Sequence, residues 1–278
     1  MKVIRATTLG MCFGVRDALQ VANSIDDAQA VTIQGELVHN PLVLHQLNER
    51  GFQQTPESTY GAVPESAKVL ITAHGTSDRQ RRQLEDADKQ LIDTTCPLVR
   101  HVHASARQLQ EGGRHVLLIG KRGHVEVRGV VDDLTSFDIV ETAAEVIEYS
   151  SKRLGIVSQT TIPPHVADEI CLYIQLHNPL VDIKRIDTIC QPTKQRQQAV
   201  LELADVVDAV VVVGGKNSNN TRQLVELCLQ RQTPALHVEN AHGLESDWFV
   251  DVNTIGLTAG TSTQDETIDE VHQALLKI

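Results

Sequence analysis

The chain of 278 residues carries 25 Lys and Arg against 36 Asp and Glu, a formal net charge of −11. That balance disfavours a nucleic-acid backbone or an anionic membrane surface as partner. Four Phe, three Tyr and one Trp are too few for base-stacking platforms, so the core must be built from Val, Ile, Leu and Ala.

In chain order, short apolar runs at 31–33, 69–71, 115–119, 154–157, 210–213 and 254–257 alternate with helical patterns such as 15–19 and 193–204. The alternation predicts an α/β fold with parallel strands. No stretch approaches the roughly 18 apolar residues of a membrane span, and the first residues lack the apolar run of a secretory signal, so a cytoplasmic location is expected. Cys12, Cys96, Cys171, Cys190 and Cys228 are odd in number, and none lies two or three residues from another. This is neither a disulfide framework nor a CxxC zinc knuckle.

The chain repeats itself. Ile92-Asp93-Thr94-Thr95-Cys96 and Ile186-Asp187-Thr188-Ile189-Cys190 are nearly one phrase, and Thr7-Thr8-Leu9-Gly10-Met11-Cys12 is a weaker third copy. Gly35, Gly120 and Gly214 follow their cysteines by 23, 24 and 24 residues; His39, His124 and Ser218 follow by 27, 28 and 28. A later strand end carries His74, Thr160 and Ser262, at 62, 64 and 72. Three similar α/β units are expected, at 1–94 with Cys12, 95–188 with Cys96 and 189–278 with Cys190.

Loops at the carboxyl ends of parallel strands carry function, and helix N-termini present free N–H groups there. If the units share a centre, three thiolates and three sets of polar loop tips converge. Three thiolates leave one coordination position open, which suits either a 4Fe–4S cluster with one free iron or a catalytic zinc. Cys171 and Cys228 fall outside the register and read as core. His39, His74, His124, Ser218, Asn220, Thr160, Thr161 and Ser262 are hydrogen-bond donors suited to a phosphate or diphosphate. Glu126 lies two residues after His124, where an extended loop would put both side chains on one side. Desolvation beside a diphosphate would raise its pKa and make it a proton donor.

The motifs Gly10-Met11-Cys12-Phe13-Gly14-Val15, Gly35-Glu36-Leu37-Val38-His39-Asn40, Ala73-His74-Gly75, Asp93-Thr94-Thr95-Cys96-Pro97, Gly123-His124-Val125-Glu126, Ser158-Gln159-Thr160-Thr161, Asp187-Thr188-Ile189-Cys190, Lys216-Asn217-Ser218-Asn219-Asn220-Thr221 and Thr258-Ala259-Gly260-Thr261-Ser262 span the whole chain. Together they resemble the LytB/IspH reductases of the non-mevalonate isoprenoid pathway. The resemblance implies a trefoil-like, pseudo-threefold arrangement of three α/β units around a 4Fe–4S cluster held by Cys12, Cys96 and Cys190, with one open iron. It implies diphosphate contacts from His39, His74, His124, Ser218, Asn220 and Ser262, with Thr161 and Asn219 nearby. It further implies Glu126 as proton source, with Thr160 orienting the substrate and relaying protons. The expected reaction is a two-electron dehydroxylation of 4-hydroxy-3-methylbut-2-enyl diphosphate to isopentenyl and dimethylallyl diphosphate. Electrons would come from an external donor such as ferredoxin or flavodoxin.

The chain departs from the family pattern at Val125, Arg128, residues 130–133, Gln191-Pro192 and Asn219. A paralogous iron–sulfur reductase of another allylic or aromatic substrate is therefore the alternative, ahead of a zinc hydrolase or an anion-binding module.

Overall fold

The apolar runs become strands because β-branched side chains suit a pleated sheet buried on both faces. The computed structural model describes residues 1–278, apart from the side chain of Glu57. In chain order the principal elements are β1 (Lys2–Arg5), α1 (Phe13–Asn23), β2 (Val31–Gln34), α2 (Pro41–Glu49), β3 (Gln53–Gln54), β4 (Lys68–Ile71), α3 (Asp78–Asp86), β5 (Gln90–Asp93), α4 (Pro97–Glu111), β6 (His115–Ile119), α5 (Val125–Val131), β7 (Phe137–Val140), β8 (Arg153–Ser158), α6 (Pro164–His177), β9 (Asp182–Arg185), α7 (Gln191–Ala204), β10 (Ala209–Val213), α8 (Asn219–Gln230), β11 (Ala235–Val238), β12 (Thr254–Ala259) and α9 (Asp265–Leu275).

The described strands form three parallel sheets of four, in the orders β3-β2-β4-β5, β7-β6-β8-β9 and β11-β10-β12-β1. Each is the same sheet. The two central strands end opposite one another at Gln34 and Ile71, at Ile119 and Ser158, and at Val213 and Ala259. The α/β class with three similar, mainly parallel sheets is therefore observed. The sheets are cut differently from boundaries at 94 and 188, however. β1, expected with the first copy, pairs in parallel with β12, Lys2 opposite Thr254 and Arg5 opposite Leu257. Which sheet a four-residue edge strand joins depends on tertiary pairing that its own sequence does not encode.

The chain forms two compact units. One comprises Asp17–Val38 and His45–Cys190; the other comprises Met1–Arg16, His39–Leu44 and Gln191–Ile278. In the first, alternate residues of β6 serve two cores. Leu117 and Ile119 pack among Leu154, Ile156, Ile170 and Ile174, while Val116 and Leu118 pack among Val102, Leu109, Val127 and Val157. In the second, Val211 and Val213 join Leu257, Ile268 and Val271, and Val210 and Val212 join Val200, Leu203 and Leu224. Each such buried aliphatic side chain stabilises by roughly 1.5–3 kcal/mol. The sheets are thus rigid platforms whose carboxyl ends hold the loops in place.

Candidate active site

The repeated phrase is a turn. Asp93 Oδ1 accepts the N–H of Thr95 at 2.9 Å and Asp187 Oδ1 that of Ile189 at 3.2 Å, the local closure that Asp favours. The next hydroxyls, of Thr94 and Thr188, both donate at 2.6 Å to the last carbonyl of the neighbouring strand, Ile71 and Ser158. The loop is folded back so that each cysteine N–H meets a carbonyl two residues past that strand. Cys96 bonds to Ala73 at 3.1 Å and Cys190 to Thr160 at 3.0 Å. Cys12 makes the same bond, to Thr261 at 3.1 Å, although its loop is longer. All three sit immediately before or at a helix start: α1, α4 and α7.

These three cysteines are partly exposed, whereas Cys171 and Cys228 are buried. Burial pushes both buried thiols up, that of Cys228 to about 12. Since the thiolate is the metal ligand, the two core cysteines are unsuited to that role and the three in register remain. Among the described residues, no three His, Cys, Asp or Glu side chains surround a single-ion position. The cysteines' fit to a cluster therefore rests on their shared geometry.

In the first unit, a continuous chain of contacts joins two cysteines. Cys96 is bonded to the residue before His74. The His74 and His124 rings meet edge to face, with centroids 5.7 Å apart at 88°. His124 caps α5, its Nδ1 accepting the Glu126 N–H at 3.1 Å, so the ring proton sits on Nε2 as a donor. The extended loop expected between His124 and Glu126 is replaced by this helix start, because an accepting Nδ1 satisfies a first-turn N–H. Glu126 is 2% exposed. Its Oε1 accepts the Thr160 N–H at 2.7 Å and its Oε2 the Thr160 hydroxyl at 2.8 Å. Burial pushes its pKa up to about 7, outweighing the two hydrogen bonds that lower it. Thr160 in turn carries the Cys190 bond.

The second unit gathers the remaining donors. Ser218 caps α8, accepting the Thr221 N–H at 3.3 Å. Asn220 Oδ1 takes the Thr261 N–H at 3.0 Å, which leaves its Nδ2 a buried donor without a protein partner. Ser262 donates its hydroxyl to the His39 carbonyl at 3.2 Å, and Asn40 Nδ2 donates to Ser262 O at 2.7 Å. Gly215 lies against this loop. A Cβ there would stand 2.8 Å from the His39 carbonyl and 3.0 Å from Pro41 Cδ, so only glycine allows the approach.

Two registers shift by one residue. The N-caps of α5 and α8 are His124 and Ser218, and α2 is capped by Asn40, whose Oδ1 accepts the Leu42 N–H at 3.0 Å. Asn40, not His39, lies 28 residues after its cysteine, matching the other two. Likewise the residues three past β4, β8 and β12 are His74, Thr161 and Ser262; Thr160 stands one earlier, where Ala73 and Thr261 stand. Asn40 is the residue that the sequence reading missed, and the constant spacing of 28 was the signal for it.

The model of the family described as LytB protein matches residues 3–276. The chain belongs to the LytB family. Among relatives of this LytB chain, the 4-hydroxy-3-methylbut-2-enyl diphosphate reductase of Aquifex aeolicus (strain VF5) is 33% identical over 287 residues, covering 99% of the chain and 96% of the relative. That of Hahella chejuensis (strain KCTC 2396) is 35% identical over 290 residues, covering 100% and 90%. The LytB chain also aligns with the solved reductase from Plasmodium falciparum at a TM-score of 0.90 and 26% identity, over 99% of this chain and 87% of that one. A second solved structure, described as the terminal enzyme of the non-mevalonate pathway, aligns at 0.70 and 33% identity over 100% of both chains.

Proposed function

We propose that the chain reduces 4-hydroxy-3-methylbut-2-enyl diphosphate, replacing the allylic hydroxyl by hydrogen with two electrons and two protons and releasing water and isopentenyl or dimethylallyl diphosphate. The observation that carries this reading is Glu126: a buried carboxyl titrating near neutrality and held by Thr160, in a chain whose relatives along its whole length bear that reductase name.

Cys12, Cys96 and Cys190 are the ligands of a 4Fe–4S cluster in this reading. When bound, the cluster supplies the electrons, received from an external donor such as ferredoxin or flavodoxin, and a Lewis-acid iron at its open position. The protein's own groups bind and protonate. His39, His74, His124, Ser218, Asn219, Asn220 and Ser262, with Thr161, donate hydrogen bonds to the diphosphate. The N-termini of α2, α5 and α8 add the positive ends of their dipoles. Hydrogen-bond donors gathered in this way let a chain of charge −11 hold an anion.

Glu126 gives the proton that lets the hydroxyl leave as water. Its burial keeps the carboxyl protonated up to about neutral pH, where an ordinary glutamate would be ionised. Thr160 holds the acid in one orientation and connects it to the substrate oxygen. Five free thiols suit a reducing compartment, and the cytoplasm is the proposed location. No described helix is long and apolar enough to cross a membrane.

The deciding experiment is anaerobic reconstitution followed by an assay with 4-hydroxy-3-methylbut-2-enyl diphosphate and a low-potential chemical reductant as electron source. Brown protein containing iron and sulfide that forms both five-carbon diphosphates is expected. A cluster-loaded protein that leaves this substrate untouched would overturn the substrate assignment. Colourless protein with one zinc per chain would overturn the reductase.

A further inference from the structure

We infer that Asp132 and Asp133, at the far end of the helix that bears Glu126, act as positioning residues that set the His74–His124 pair. The inference rests on the proposed function for what that pair binds.

The geometry runs from helix to helix. Asp133 reaches the N-terminus of α3 and accepts two of its first N–H groups, from Asp78 at 2.8 Å and from Arg79 at 3.1 Å. Asp132 accepts the hydroxyl of Ser77, the N-cap of α3. Ser77 itself takes the third first-turn N–H, from Gln80 at 2.9 Å. The start of α3 is thus closed by two carboxylates from another element, where a helix dipole favours negative charge. Arg107 of α4 pairs with Asp78 and stands 3.8 Å from Asp133. One turn back on α5, Arg128 lies over the Tyr60 ring at 4.7 Å, and the Tyr60 hydroxyl accepts the Ser77 N–H at 3.2 Å. Asp133 has a side chain only 7% exposed, so its contacts are little weakened by solvent.

The clasp is close to the chemistry at both ends. α5 has seven residues, about 10 Å of helix, too short to bend between Glu126 and Asp132. Its other partner, Ser77, stands three residues after His74. Fixing α5 to α3 therefore fixes His124, which caps α5, against His74. A purely stabilising contact would need no such placement.

The test uses the full-length protein and inorganic diphosphate as probe. Asp133→Ala is expected to weaken calorimetric binding of inorganic diphosphate about tenfold, with the same rise in KM and less than a twofold change in kcat. The imidazole nitrogen signals of both His74 and His124 should shift. Asp133→Asn, which keeps one of the two acceptor oxygens, should fall between Asp133→Ala and wild type in binding. If Asp133→Ala does not fold, Asp132→Ala, which removes the Ser77 contact and the 3.6 Å ion pair with the exposed Arg79 but leaves both backbone N–H bonds of Asp133, should show the same changes in smaller measure. Unchanged diphosphate binding together with unchanged ring signals overturns the clasp, whatever happens to Tm. If the wild-type protein fails to reduce the substrate, the proposed function falls, and the ring signals still decide the clasp.

Discussion

Thr160 offers its N–H and its hydroxyl to the two oxygens of Glu126, at 2.7 and 2.8 Å, while its carbonyl accepts the N–H of Cys190. One residue thus couples the acid to a proposed cluster ligand. The hydroxyl bond stabilises the charged carboxylate, so its removal raises the pKa of Glu126 above about 7. In Thr160→Val the alkaline limb of the kcat/KM profile should move up by about one pH unit, the equivalent of a charge-assisted hydrogen bond. The plateau should fall as the acid loses its fixed orientation. A limb that stays in place would assign the titration to another group.

Glu126→Gln separates chemistry from stability. Turnover should fall on the order of 10²–10⁴-fold for the loss of a general acid, with iron content and diphosphate binding retained. The folded carboxyl titrates near 7 and the unfolded one near 4.5. The group's stabilisation is therefore complete below about pH 4.5 and is lost as pH rises through 7, a span of about 3 kcal/mol. Chemical denaturation should show the variant close to wild type at pH 5 and more stable than wild type at pH 8. Equal pH dependence of the two proteins would show that Glu126 is not buried as described.

Much of this was legible because the chemistry lies in short phrases with fixed spacing. Asp-Thr-x-Cys is readable since Asp closes its own turn and Thr ties the loop to the next strand, both local consequences of side-chain length. What was not legible depends on pairing. β1 joins the last sheet through β12, and residues 2–5 carry no sign of that. His39 stands four residues after Gly35, as His124 and Ser218 stand after Gly120 and Gly214, yet the helix cap is Asn40, because the first loop is one residue longer between glycine and cap. The link between Glu126 and Thr160 spans 34 residues and arises only when α5 packs over the end of β8.

The five cysteines should divide cleanly. Cys96→Ser or Cys190→Ser should lose iron, sulfide and the visible absorption of the reconstituted protein. Cys228→Ser should keep all three. Its cost is in stability, roughly 1–3 kcal/mol for a buried hydroxyl without a partner, because Cys228 is 0% exposed within the core beneath α8. Denaturant midpoints and metal analysis on the same samples check both halves. Loss of iron from the Cys228 variant, with its fold intact, would remove the distinction between register and core cysteines.

Gly215→Ala tests the loop that holds His39 without touching any donor. The added methyl would stand 2.8 Å from the His39 carbonyl and 3.0 Å from Pro41 Cδ, inside contact distance of backbone and ring rather than of a flexible chain end. Residues 39–41 must move away, which strains the Ser262 hydroxyl bond to His39 O and the Asn40 bond to Ser262 O. Overpacking of this kind costs about 1–3 kcal/mol. Because the strain falls on the proposed diphosphate donors and not on Glu126, KM should rise about tenfold or more while kcat stays within a factor of about three. Steady-state kinetics separate the two parameters, and a drop in kcat at unchanged KM would place the 39–41 loop outside the diphosphate site.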